Sequence, residues 1–309
     1  MSRRWVAAVR PAGAVVLLGI LVWRSGTGTV LSAVARIDTT ALLAAGGIAV
    51  LTTVCCAWRW SLVARGLGVD LPLRTAVAAC YGSQFLNTTL PGGVVGDVHR
   101  AARHGRAVGD LGRGARAVAW ERLAGQAVQV ALALVVLVLL PSPVHAAMPF
   151  VVAGGAVALT GVVLGVVGGR RRGSRWGRAL RLVVGDLRGG LLRRGAWAGV
   201  LAASTVVVAG HAATFVIATR TAGVSVSAVR LLPLTLLVLL AMAVPMSIAG
   251  WGPREGVAAW SFGLAGLGAQ QGISAAVVYG VLVLVASLPG AAVLLAWSLA
   301  PGLRRLGHG

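Results

Sequence analysis

The chain has 309 residues, of which 58% are hydrophobic and only 11% charged, with a mean hydropathy of +0.88. A soluble domain is about 45–50% apolar and about 25% charged, so that class is excluded. There are 28 basic residues against seven acidic ones, and every basic one is arginine. In a membrane protein that excess reads as basic loops meeting anionic lipid on one side, with no nucleic acid implied.

The N-terminal stretch MSRRWVAAVRPAGAVVLLGILVW has a basic start and an apolar core but no small-x-small cleavage site, so about 12–23 reads as an uncleaved first span. Hydropathy places further apolar runs at about 40–64, 75–96, 117–140, 148–168, 196–218, 231–249 and 271–299, with a weaker run at 256–268. The longest polar-leaning interruption is the arginine- and glycine-rich stretch 169–195. Residues 1–309 therefore read as one integral membrane domain without a separate soluble part. Cys55, Cys56 and Cys80 all fall in apolar runs and read as small core residues, with no spacing for a metal. His211, in the middle of a span, reads as a satisfied polar contact between helices. Arg59, flanked by Trp58 and Trp60 near a span end, reads as snorkelling to the interface.

Arginine-rich segments mark the cytoplasmic side. They are the N-terminus, 97–116, 169–195 and the tail with Arg304 and Arg305; PSPVHAA (141–147) has no arginine and faces outside. Threading the chain under this rule leaves 75–96 starting and ending inside. It also leaves 231–268 starting and ending outside. The expectation is an all-α polytopic protein with about six full spans and two oppositely oriented re-entrant hairpins. The repeats are 40–140 and 196–299, joined by a basic cytoplasmic loop at 169–195. Alignment of LPGGVVGDVHR (90–100) with VPMSIAGWGPR (244–254) matches Pro91 to Pro245, Gly96 to Gly250 and Arg100 to Arg254. Proline- and glycine-interrupted segments at corresponding positions of two halves point to a transporter's binding site.

The hairpin turns are expected at Pro91, Gly92, Gly93 and Gly96, and at Pro245, Ser247, Gly250 and Gly252. Broken backbone is tolerated in a bilayer only where protein or a wet cavity satisfies its polar groups. Arg100 and Arg254 are candidates to bind a phosphate through the guanidinium fork, with Asn87 and Arg122 assisting. Two such sites, one opening to each face, would suit a phosphorylated amphiphile; an internal salt-bridge network is the competing reading. Asp97, Glu121 and Glu255 are charge partners or coupling groups. Adjacent helical residues do not face each other, so Glu121 is expected to pair with Arg100 or another arginine across the fold. No catalytic motif, metal site or cofactor site is expected.

These motifs carry a resemblance. AWRWSLVARGLG (57–68), NTTLPGGVVGDVHR (87–100), the Glu121–Arg122 pair and PMSIAGWGPRE (245–255) together resemble the flippase-like family built on the transmembrane region of lysylphosphatidylglycerol synthase. The second motif carries Ala249–Gly250 where the family usually has two glycines. The synthase's soluble aminoacyl-transferase domain has no counterpart here. The resemblance therefore implies a lipid translocator and not an enzyme, in the plasma membrane of a bacterium, with both termini cytoplasmic. Its cargo would be an anionic phospholipid or a polyprenyl-phosphate-linked lipid. The alternatives are a non-transporting partner of an envelope glycosyltransferase and a membrane enzyme acting on a lipid phosphate.

Overall fold

The computed structural model describes residues 32, 35–90, 93–169, 182–191, 195–243 and 252–299. The expected first span, most of the basic loop, and the turn residues Pro91, Gly92, Pro245, Ser247 and Gly250 lie outside the described residues.

The protein is an all-α polytopic membrane protein. The helices are α1 (Thr39–Gly66), α2 (Leu73–Thr89), α3 (Val95–Ala107), α4 (Leu111–Leu139), α5 (Met148–Gly169), α6 (Ala196–Thr221), α7 (Ala228–Met242), α8 (Pro253–Leu264) and α9 (Ala269–Leu299). Among the described residues, α1, α4, α6 and α9 are long and apolar enough to cross a bilayer. At about 1.5 Å per residue, α2, α3, α7 and α8 are each shorter than a hydrocarbon core of about 30 Å.

Local chemistry sets these boundaries. Asp38 caps α1 by accepting the Ala41 N–H at 2.8 Å, and Asp110 caps α4 by accepting the Arg113 N–H at 2.8 Å. That N–H holds the Asp110 carboxyl below its usual range. Helix α2 stops at Leu90, which is extended at φ −108° and ψ 149°. It precedes Pro91, and a residue before proline is pushed out of the helical region. At the start of α8, Gly252 takes φ 115°, Pro253 fills the first turn, and the Glu255 carboxylate accepts the Gly252 N–H at 2.6 Å.

The four long helices and two short pairs repeat one order: long, short, short, long. Helices α2 and α3 run antiparallel, Asp97 lying against Ser83 and Arg100 against Cys80. Helices α7 and α8 also run antiparallel, with Arg230 Nη2 donating to the Ala265 carbonyl at 3.0 Å. The first pair opens toward the end of the bundle where α1 finishes. The second opens toward the opposite end, where Arg36 Nη1 reaches the Ala222 carbonyl at 3.2 Å. The second arm of the first pair runs to Ala107, so most of what the sequence reading took as an arginine loop is helix. Arginine-rich sequence is helix-compatible, and the buried carboxylates draw Arg100 inward.

Close approach between helices needs small residues. Gly96 sits against the Ser83 carbonyl and Gly290 against the Tyr81 carbonyl, where a Cβ would collide with backbone. Without a hydrophobic drive between helices in lipid, such contacts carry much of the packing. The largest core cluster joins Phe215, Phe262 and Tyr279 where α6, α8 and α9 meet. A second cluster surrounds Trp60 between α1, α2 and α4.

Candidate functional site

Helices α1, α3 and α4 place Arg59, Arg100 and Glu121 together. The Glu121 side chain has no solvent exposure. Its Oε1 accepts from Arg59 Nε at 2.9 Å and from Arg59 Nη2, and its Oε2 accepts from Arg100 Nη2 at 2.5 Å. Cys56 Sγ lies 3.5 Å from Oε1. The third Arg59 nitrogen, Nη1, donates to Ser204 on α6 at 3.0 Å. The Arg100 guanidinium lies 4.8 Å from the centroid of the Trp60 ring.

Asp97 is the second hub. Its Oδ1 accepts from Ser83 Oγ at 3.1 Å and Arg100 Nε at 3.0 Å. Its Oδ2 accepts from Asn87 Nδ2 at 3.2 Å and pairs with Arg122 Nη2 at 2.6 Å. Asn87 Oδ1 also accepts the Gly96 N–H at 2.7 Å, which closes the first helix pair near its tip. Three guanidiniums thus share two carboxylates, each saturated with donors. Full satisfaction is what makes buried charge tolerable.

The second pair is simpler. Arg254 Nε and Nη2 donate to Glu255 Oε1 at 2.8 and 2.5 Å. These neighbours meet although adjacent helical side chains diverge, because Glu255 curls back to cap Gly252. The Arg254 guanidinium lies 5.6 Å from the Tyr279 ring centroid, over a site where Gly280 leaves room. Tyr279 Oη in turn meets His211 Nδ1 at 3.0 Å.

One cavity of about 430 Å³ lies between the halves. Arg59, Arg100, Arg122 and Arg254 all line it, as do Asn87, Gly93 and Asp97. Sequence reasoning expected a separate site opening to each face; instead both arginines of the paired motifs face one space. Helix α2 of the first pair packs against α9 of the second half, with the Thr88 and Ser287 hydroxyls 3.3 Å apart, so residues of both halves wall the same cavity. The two arginines also differ in helical position. Arg100 lies more than a turn into α3, whereas Arg254 is the second residue of α8.

Two further expectations change. Arg59 does not snorkel: it is buried, held by Glu121 and Ser204 against Gly125. The cost of an intramembrane charge was the signal that it pairs inward. Cys80 is buried as expected, but both it and Cys56 line the cavity, and Cys56 lies beside Glu121. The sequence reading missed Gln84, Gln126, Thr52 and Thr214, which also line the cavity. Polar residues recurring inside apolar helices could have found them. Among the described residues, no group of three or more His, Cys, Asp or Glu is placed to hold a metal ion.

A family model described as "Lysylphosphatidylglycerol synthase TM region" matches residues 7–290. No curated protein and no solved structure matches the chain.

Proposed function

Because the chain belongs to the family of the lysylphosphatidylglycerol synthase transmembrane region, we propose that it moves an anionic phospholipid or a polyprenyl-phosphate-linked lipid between membrane leaflets. The observation that carries this reading is a cavity walled by Arg100 and Arg122 from one half and Arg254 from the other. Arginine forks suit phosphate oxygens. In this reading the two helix pairs are re-entrant hairpins in the plasma membrane of a bacterium, with both chain ends cytoplasmic. Each hairpin opens toward one face, and the headgroup sits in the cavity between the two halves. Asp97, Glu121 and Glu255 hold the arginines in the absence of cargo and yield donors when phosphate enters. The role is transport and not catalysis.

The test is translocation of fluorescent lipid in liposomes containing the purified chain, with Arg100→Ala and Arg254→Ala alongside. Movement of an anionic lipid that both substitutions abolish supports the reading. No movement by monodisperse, folded protein overturns it and favours a non-transporting partner of an envelope enzyme.

A further inference from the structure

The charge around the cavity carries a second conclusion, which rests on the reading that this cavity holds the lipid headgroup. Among the described residues, the four guanidiniums of Arg59, Arg100, Arg122 and Arg254 line it. Three carboxylates, Asp97, Glu121 and Glu255, pair with them. The hairpin-tip segments 91–92 and 244–251 contain no charged residue. Among the described residues, one positive charge is left uncompensated. The nearby imidazole of His211 is engaged by a neutral partner, the Tyr279 hydroxyl.

That excess has an address. The Arg100 side chain is 2% exposed and is divided between Asp97 and Glu121, while the Arg122 side chain is 46% exposed. Among the described residues the ion pair of Arg122 is with Asp97 Oδ2, a carboxylate it shares with Arg100. Arg122 is thus the accessible fork, and Arg100 positions the carboxylate that holds it.

We infer that the cavity selects a monoanionic phosphodiester headgroup over a phosphomonoester or diphosphate, with Arg122 as the phosphate contact. A phosphodiester brings one negative charge and closes the balance. A phosphomonoester carries about −1.5 to −2 at neutral pH. It would leave negative charge buried without a partner, which a low-dielectric cavity penalises. The neutral side chains of Gln84, Asn87, Gln126, Thr52 and Thr214 give the rest of the headgroup donors and acceptors without adding charge. Of the two cargo classes above, this favours the anionic phospholipid over the polyprenyl phosphate.

The experiment reconstitutes the full chain in phosphatidylcholine vesicles with trace fluorescent phosphatidylglycerol (a diester), phosphatidic acid (a monoester) or phosphatidylcholine (a zwitterion). Wild type is expected to move the diester at least tenfold faster than either other lipid. Arg122→Gln, which makes the cavity neutral, is expected to erase the preference for diester over zwitterion. Asp97→Asn and Glu255→Gln each add one positive charge and are expected to shift preference toward the monoester. The two lie on different helix pairs, so a folding defect in one leaves the other readable. Equal movement of monoester and diester by wild type overturns the inference, as does an unchanged order in both added-charge variants. If folded protein moves no lipid at all, the transport reading fails. Retention of the same lipids by the purified protein, read by native mass spectrometry, then decides selectivity. Preferential retention of the diester upholds it, and equal retention ends it.

Discussion

Arg100 and Arg254 occupy matching places in two similar stretches of sequence, yet the protein holds them in different ways. Arg100 belongs to a lattice. Its two carboxylate partners sit on α3 and α4, and the second of these also grips Arg59 of α1. Arg254 is held by its own neighbour, Glu255, in the first turn of α8, with Tyr279 beside it. The ion pairs of the first arginine join three helices, whereas the Glu255 ion pair of the second lies within one. The same residue type therefore couples to stability in the first half far more than in the second.

This contrast can be broken most sharply at Glu121. Glu121→Gln leaves Arg59 and Arg100 buried without their shared counter-charge. Loss of one partner from a buried pair costs about 3–5 kcal/mol. Thermal unfolding in detergent should show the largest fall of any single substitution in the network. An unchanged midpoint would mean that the lattice does not hold the first half together. Next in size is the pair Arg100→Ala and Arg254→Ala. Both should stop lipid movement, but Arg100→Ala should lower the midpoint well below that of Arg254→Ala. The reverse order would invert the comparison.

Glycine at the two second arms sharpens it further. A methyl group at Gly96 meets the Ser83 carbonyl, while one at Gly256 meets nothing within 4 Å. Gly96→Ala is expected to cost about 1–3 kcal/mol as overpacking. Gly256→Ala should be neutral or slightly stabilising through helix propensity. Thermal shift of the two variants side by side reads this directly. The smallest effect is expected at Asp110. Its depressed pKa means that the cap contributes stability above the unfolded pKa and loses it as pH falls through the folded value. Asp110→Ala should lower the midpoint slightly at neutral pH and leave little difference from wild type in acid.

Much of the helix layout was legible in the letters. Apolar runs, a proline just after a helix stop, and aspartate at helix starts are local signals, and α1, α4, α6 and α9 fall close to the expected runs. The i,i+3 spacing of Asp97 and Arg100 is local too, and that pair forms. Glu121 was expected to find an arginine across the fold, because an intramembrane carboxylate must pair; Arg59 as one of its partners was not foreseen. Trp58 and Trp60 made an interfacial position look adequate for Arg59, and no local feature points to Ser204, 145 residues away.

The sequence by itself determined the solvent, the helices, their breaks and the scarcity of carboxylates for so many arginines. Those properties follow from composition and from interactions within a few residues. Only the tertiary structure decided that Arg100 and Arg254 line one cavity, that Arg59 and Arg100 share one carboxylate, and that Arg122 keeps an exposed fork. Each of these depends on helices far apart in sequence meeting at glycine contacts, where a single Cβ would change the distance of approach. Charge can be counted from sequence, but packing determines which charge remains open.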